Sequence, residues 1–340
     1  MKKKVFAVIA AIVLLASVTA GCKKPSPAGA VEDLKGLEGK VVYSIGQGNV
    51  PDLVFRYLLK KAGVSYRVGY DEASDGVVSL SYASEGTEII GGLTAGVMSY
   101  GVISEPAATV ALEKVEKAKR MLDIQKLYAE LTNSTGGYPQ AALVVKKSFL
   151  ESHNDYVADF TAAFGNGAQW AETNPSEALA AIKQAGSTTV PKLTAEIAKG
   201  CNLGFTNAAS AKSQLLAFYE GLNGVAEPEE SKAVPKMPDD AFFVGDIAKN
   251  GTGESADGVK VFAPDGAPAI SLSKLIADSY EGASFSIVAP EQIGSKVLSG
   301  EADIAIMPTN AAAKLYGAGA DIVMLGVTNF GSLYLIGLTE

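Results

Sequence analysis

The sequence predicts an α/β protein made of two units whose strand ends share a cleft. Three observations predict it. Short β-prone runs alternate with amphipathic helical runs over most of the chain, which favours α/β with a largely parallel sheet. A strand, a Gly/Pro turn and a helix occur in that order at Lys40 to Leu59 and again at Lys260 to Ile276. A buried strand ending in a proline-containing turn before a helix occurs at Gly96 to Thr109 and again at Gly300 to Ala313. Both units thus present loops at the carboxyl ends of their strands, the edge at which open α/β sheets bind ligands.

In the first unit the apolar run Lys40–Ile45 reads as a strand. Gly46-Gln47-Gly48-Asn49 follows as a turn whose glycines let the backbone approach a guest. Asn49 is suited to cap the next helix and Pro51 to its first turn. The helix runs Leu53–Ala62 and stops at Gly63. Strands are expected at 66–68, 77–82 and 98–103, and helices at 85–95, 107–118 and 122–131. Tyr138–Val145 is an apolar strand, and residues 152–222 read as helical throughout, with apolar spacing at Val157, Phe160, Phe164 and Ala168. The Pro- and Glu-rich stretch 225–239 is a surface connection, and Lys249–Ser255 a linker. The second unit brings strands at 259–263, 285–288, 302–307, 322–327 and 333–338, and helices at 270–277, 291–298 and 311–315. Trp170 reads as core.

The 340 residues carry a net charge of −8, and three lysines and no acid leave with residues 1–21, which makes the remainder −11. An acidic chain is a poor partner for nucleic acid, which needs a basic patch. A hydrophobic content of 48% excludes a disordered protein. The single histidine, His153 in a polar stretch, excludes a His-rich metal cluster. Cys201 is expected to be a buried thiol with no disulfide. Neither a metal nor a cofactor is called for.

The N-terminus reads Met1-Lys2-Lys3-Lys4, then is apolar from Val5 to Val18, too short for a comfortable span. It ends Thr19-Ala20-Gly21-Cys22, which resembles a bacterial lipobox, although Thr19 stands where that pattern has an aliphatic residue. The resemblance implies cleavage after residue 21, lipid on Cys22 and a tether over 22–31.

The segments Lys40–Leu59, Ser104-Glu105-Pro106, Tyr138–Leu150, Val261–Ala269, Gly300–Asn310 and Phe330–Ile336 together resemble the type II solute-binding proteins of bacterial ABC importers. The nitrate, sulfonate, taurine and thiamine-precursor group is the nearest branch. The resemblance spans nearly all of 32–337. It implies a two-lobed, type II periplasmic-binding-protein-like α/β fold with a ligand cleft between lobes joined by two crossing strands. One departure stands out. In the family the Val261-type segment leads and the Gly46-type turn follows, so this chain reads as circularly permuted, with the old junction between Glu340 and about Val31 and the new one at Gly251–Ser255. The expected lobes are then 32–137 and 138–337, the second comprising a helical part at 152–246, a linker at 249–257 and the βα series at 258–337. One crossing survives near Gly137–Gln140, the other is cut by the termini, and the hinge is loosened.

On this reading Gln47, Gly48, Asn49, Ser84, Glu85 and Glu105 line one wall of the cleft. Ala267, Pro268, Ala269, Thr309, Asn310, Phe330 and Ser332 line the other, with Tyr138 at the hinge. Asn49, Thr309 and Asn310 can donate and accept hydrogen bonds. Phe330 can stack on a planar ligand, and Glu105 can meet a cationic or N–H-bearing one. Helix capping and core packing account for the same residues equally well. No arginine falls in these motifs, and Arg56 is expected to point along its helix away from the turn, which tilts against a strongly anionic ligand. The resemblance implies a lipid-anchored, extracytoplasmic monomer that hands a small organic molecule or an oxyanion to an ABC permease. An enzyme on the same fold is disfavoured, since no Cys/His pair is evident. A ligand-sensing envelope lipoprotein without transport is the remaining alternative.

Overall fold

The structure, a computed structural model, describes residues 27–230, 237–251 and 256–339. The signal segment and Cys22 lie outside these residues, as does most of the expected new junction. Helices and strands are numbered in chain order. The first lobe runs α1 (Pro27–Lys35), β1 (Val41–Ile45), α2 (Val50–Lys61), β2 (Tyr66–Val68), β3 (Val78–Ala83), α3 (Gly86–Ala95), β4 (Tyr100–Ser104), α4 (Ala107–Lys114), β5 (Ala118–Asp123) and α5 (Ile124–Thr132). The chain then crosses over. The second lobe runs β6 (Ala141–Lys146), α6 (Lys147–Ser152), α7 (Asn154–Gly167), α8 (Pro175–Gln184), α9 (Ala195–Gly200), β7 (Leu203–Asn207), α10 (Ala208–Asn223), β8 (Val259–Pro264), α11 (Ala267–Ser271), α12 (Ser273–Ala277), β9 (Ala283–Val288), α13 (Ile293–Leu298), β10 (Ile304–Pro308), α14 (Thr309–Gly317) and β11 (Ile322–Asn329). A second crossing leads to β12 (Leu333–Leu338).

Each lobe holds one six-stranded sheet, in the orders β2-β3-β1-β4-β12-β5 and β7-β11-β6-β10-β8-β9. The βα units supply parallel pairs, β1 with β3 and β4, and β8 with β9 and β10. The crossing strands run against them: β12 is antiparallel to β4 and β5, and β6 is antiparallel to β10 and β11. The sheets are therefore mixed, not largely parallel.

Several boundaries differ from expectation. Strand β12 belongs to the first sheet, so the second lobe ends at β11 and the first lobe is discontinuous in sequence. Leu333 and Leu335 are buried on the α2–α5 face of that sheet, and the antiparallel register with β4 satisfies both backbones. Two crossings exist, near residues 133–140 and 329–333, and the second is not cut by the termini. The expected continuous helical stretch 152–222 is broken by residues 186–194 and by β7, which pairs antiparallel with β11. Helix α4 ends at Lys114, short of the expected residue 118, and strand β5 occupies 118–123, between and into the ends of the helices expected at 107–118 and 122–131. Trp170 is half-buried at the edge of a core cluster, with the Lys274 ammonium 5.6 Å from its ring centroid.

Helix α2 shows how local chemistry places the first turn. Pro51 and Asp52 lie in its first turn, Lys60 and Lys61 in its last, as the helix dipole favours. Leu53, Val54, Phe55, Leu58 and Leu59 are buried against the sheet. Asn49 holds the N-cap position without a side-chain cap bond; Asp52 Oδ2 accepts from the Gly48 amide instead, at 2.8 Å. Helix α10 lies between the lobes, packing on α2 from one side and on β7 and β11 from the other.

Candidate ligand site

The carboxyl ends of the parallel strands meet where the two crossings pass each other. Glu105 at the end of β4 is fully buried. Its carboxylate accepts from Arg120, from the Thr109 amide at 3.1 Å and from the Thr109 hydroxyl at 2.9 Å. It thus caps α4 and already has an internal cation, with Arg120 stacked 3.8 Å over the Tyr334 ring. The second lobe closes over this cluster: a Cβ on Gly200 would lie 3.0 Å from Glu105 Cγ, and the Tyr334 hydroxyl donates to the Gly200 carbonyl at 2.9 Å. Lys192 and Glu113 form an ion pair farther out between the lobes.

The crossings are knitted by side chains. Asn202 Nδ2 donates to the carbonyls of Gly136 (3.0 Å) and Phe330 (2.8 Å). Thr309 Oγ1 donates to the Pro139 carbonyl at 2.7 Å, and the Tyr219 hydroxyl donates to the Thr309 carbonyl at 2.9 Å. The Ser332 amide donates to Gln140 Oε1 at 3.1 Å and the Glu105 amide to the Ser332 carbonyl at 2.9 Å. Tyr138 is buried, stacked on Phe218 at 5.7 Å. Three buried polar atoms here have no hydrogen-bond partner: Tyr138 OH, Ser332 Oγ and Gln125 Nε2. Such groups ordinarily find protein or water.

Of the expected site residues, Glu105, Tyr138, Thr309, Phe330 and Ser332 are therefore drawn together at the crossings. Asn310 is half-buried at the start of α14. Ser84 and Glu85 are exposed at the start of α3, where the Ser84 amide donates to Glu88 Oε2 at 2.7 Å. Ala267, Pro268 and Ala269 form the first turn of α11 beside Asp265, with Ala267 and Ala269 buried. Asp265 accepts from the Ser187 hydroxyl at 2.6 Å and the Thr188 and Thr189 amides at 2.8 Å. Burial would raise its carboxyl, but these donors hold it below the ordinary carboxylate value.

Gln47 and Gly48 meet a group that sequence reasoning missed. Arg56 has a side chain 0% exposed and turns back to the turn. Its Nε and Nη2 bind the two oxygens of Asp52, and its Nη1 and Nη2 bind Glu230 Oε2 at 2.8 Å and Oε1 at 3.0 Å. Gln47 Nε2 donates to Glu230 Oε1 at 2.9 Å. The Tyr82 hydroxyl donates to Asp52 Oδ1 at 2.9 Å and accepts from Arg56 Nη2 at 3.0 Å. Burial works against the Arg56 charge, yet the Glu230 and Asp52 bonds outweigh it and raise its pKa. Burial pushes the Asp52 carboxyl up against the pull of Arg56. The Asp52/Arg56 spacing of four was the available signal, but in a sequence it reads as a solvated helix pair.

Cavities are distributed differently from the expected residues. One, about 1170 Å³, is an open groove between α2, α5 and α10. One of about 220 Å³ beside the crossing is lined by Gln125, Lys126, Gly136, Gly137, Lys199 and Asn202. A third, about 450 Å³, lies on the second lobe near α7 and β7. None of the three is lined by an expected ligand residue. Among the described residues no group of His, Cys, Asp and Glu side chains is placed to hold a metal ion.

A family model described as NMT1/THI5 like matches residues 6–178, just over half of the chain. The chain belongs to the NMT1/THI5-like family. No curated protein matches it. Among solved structures, this NMT1/THI5-like chain is similar to an ABC transporter protein from Parabacteroides distasonis. The two are 22% identical, with a TM-score of 0.47 over 61% of this chain and 67% of the other. It is also similar to the alkanesulfonate-binding protein of Xanthomonas axonopodis pv. citri, at 8% identity and a TM-score of 0.33, over 89% and 65%. A binding protein component of an ABC phosphonate transporter from Pseudomonas aeruginosa aligns at 10% identity and a TM-score of 0.32, over 87% and 68%.

Proposed function

We propose that this NMT1/THI5-like chain is a solute-binding protein that closes two lobes on a small molecule and delivers it to an ABC permease. The observation that carries the reading is the pair of crossings. The chain passes between the two sheets at 133–140 and 329–333, and buried, unpartnered polar atoms of Tyr138, Ser332 and Gln125 gather there. A polar ligand or water would meet that demand. The wall residues of the cleft remain Gln47, Gly48, Asn49, Ser84, Glu85 and Glu105 opposite Ala267–Ala269, Thr309, Asn310, Phe330 and Ser332. A thermal-shift screen of pyrimidines, flavins, sulfonates and amino acids on residues 22–340 tests it. A saturable rise in melting temperature is expected with one class, and no rise with any of them overturns the reading.

Binding is a better account of the chain than covalent catalysis. Cys201 is fully buried, and burial, with Glu105 and Glu172 nearby, pushes its thiol well above the ordinary value. His153 stacks on Phe149 at 4.4 Å, on α6–α7 of the second lobe. The extracytoplasmic location and the lipid on Cys22 belong to the same proposal. Cys22→Ser should move the protein from the membrane fraction to the soluble one; unchanged partitioning would remove the anchor from it. The permuted order is not part of the proposal: it required one crossing to be cut by the termini, whereas the chain leaves the first lobe after α5 and returns to it at β12 with both crossings intact.

A further inference from the structure

We infer that Arg56, Gln47 and the Gly46–Asn49 turn form a carboxylate seat that Glu230 occupies as an exchangeable tenant, and that the solute bound there carries a carboxylate. This deepens the solute-binding reading and rests on it.

The seat is built. The Arg56 guanidinium is wholly buried and its two forks are used in full, one on Asp52 and one on Glu230. Asp52 is held on three sides, by Arg56, the Gly48 amide and the Tyr82 hydroxyl, and so fixes the plane of the guanidinium. The outward fork then presents two N–H groups to any planar pair of oxygens, the geometry that suits a carboxylate. Gln47 adds a third donor to the same oxygen pair. Gly48, at φ +75°, lets the arm of the occupant pass close: a Cβ there would stand 3.1 Å from Glu230 Cγ.

The tenant is held differently. Asp52 is on the same helix as Arg56, whereas Glu230 arrives from 174 residues away, in a turn beyond α10 and outside any helix or strand. Among the described residues, the side-chain bonds of its carboxylate are to the seat itself, apart from the Glu227 amide at 2.9 Å. Burial would raise the Glu230 carboxyl, but Arg56 outweighs it and keeps the group ionised. Exchange for a free carboxylate therefore conserves charge and hydrogen bonds and breaks no regular structure. The arrangement also sits at the carboxyl end of β1, the edge expected to face a ligand.

The test is a titration of Glu230→Ala with sodium acetate, read by melting temperature against sodium chloride at equal ionic strength. Saturable stabilisation by acetate beyond chloride supports the seat. The wild type should need about tenfold more acetate or more, since a seat open a tenth of the time is weakened by that factor. Glu230→Gln, which keeps the shape and loses the charge, repeats the titration should the alanine variant not fold. A folded variant that responds to acetate no more than to chloride overturns the inference, as does equal affinity in variant and wild type. Methanesulfonate binding the variant in preference to acetate would overturn the carboxylate assignment. The titration reads the seat directly, so its failure is separable from a failed solute screen.

Discussion

Replacing Gly137 by alanine tests whether the two crossings pack on one another as closely as the structure places them. Gly137 has φ +102°, outside what side-chain-bearing residues ordinarily adopt, and a Cβ there would lie 2.2 Å from the Phe330 carbonyl oxygen and 2.9 Å from Gln125 Cβ. The oxygen is backbone of the opposite crossing, so it yields only if that segment moves. Gly136, one residue earlier, has φ +85° and nothing within 4 Å of its Cβ position. Both variants carry conformational strain of about 1–3 kcal/mol. Only Gly137→Ala adds the overlap, about 1–3 kcal/mol more by analogy with overpacked cores. Gly137→Ala is therefore expected to lose about 2–6 kcal/mol and Gly136→Ala about 1–3 kcal/mol. Urea unfolding followed by the fluorescence of the single tryptophan, Trp170, measures both. Equal losses in the two variants would show that the crossings are not in contact, and the two-crossing hinge would have to be redrawn.

Other perturbations address other parts of the molecule. Glu105→Gln keeps the shape but drops the charge facing Arg120, which is itself a quarter exposed; about 1–2 kcal/mol should go in urea unfolding, and an unchanged midpoint would show the pair idle. Asp265 has its folded carboxyl held low, so its stabilising contribution is present above the ordinary carboxylate range and lost as pH falls through the folded value. Asp265→Asn should therefore be less stable than the wild type at neutral pH and lose less on acidification; parallel pH profiles would count against the Ser187–Thr189 contacts. Cys201 should resist a thiol reagent in the folded chain and react fully in denaturant, whereas fast reaction of the native protein would contradict its burial.

Much of the architecture could be read from local pattern. The Gly46–Asn49 turn into α2 and the proline-containing turns after β4 and β10 follow from glycine, proline and apolar period within a few residues. Strand β5 escaped because Ala-Lys-Arg-Met-Leu-Asp has no apolar alternation; it is an edge strand held by β12. Strand β7, Leu-Gly-Phe-Thr-Asn, at the edge of the other sheet, escaped because it is only five residues long and lies within a stretch whose apolar spacing reads as helical. At the site, Glu105 was legible as a strand-end carboxylate, but its partner Arg120 lies on a strand the pattern did not show. Glu230 was hidden in a Pro- and Glu-rich stretch that reads as surface.

The sequence by itself determined that this is an α/β chain with two strand–turn–helix units and acidic, apolar-rich composition. It also determined where several turns fall, among them Gly46–Asn49 and the proline-containing turns after β4 and β10, because backbone preferences and helical or strand periodicity act over a few residues. Only the tertiary structure decided that β12 returns to the first sheet, that both crossings are intact, and that Arg56 is buried between Asp52 and Glu230. Those outcomes depend on which apolar faces and charges meet across separations as large as 237 residues, as between Tyr100 and Gly337. Burial of that kind is set by the partner that covers a residue, and the neighbours of Arg56 in the chain give no sign of Glu230.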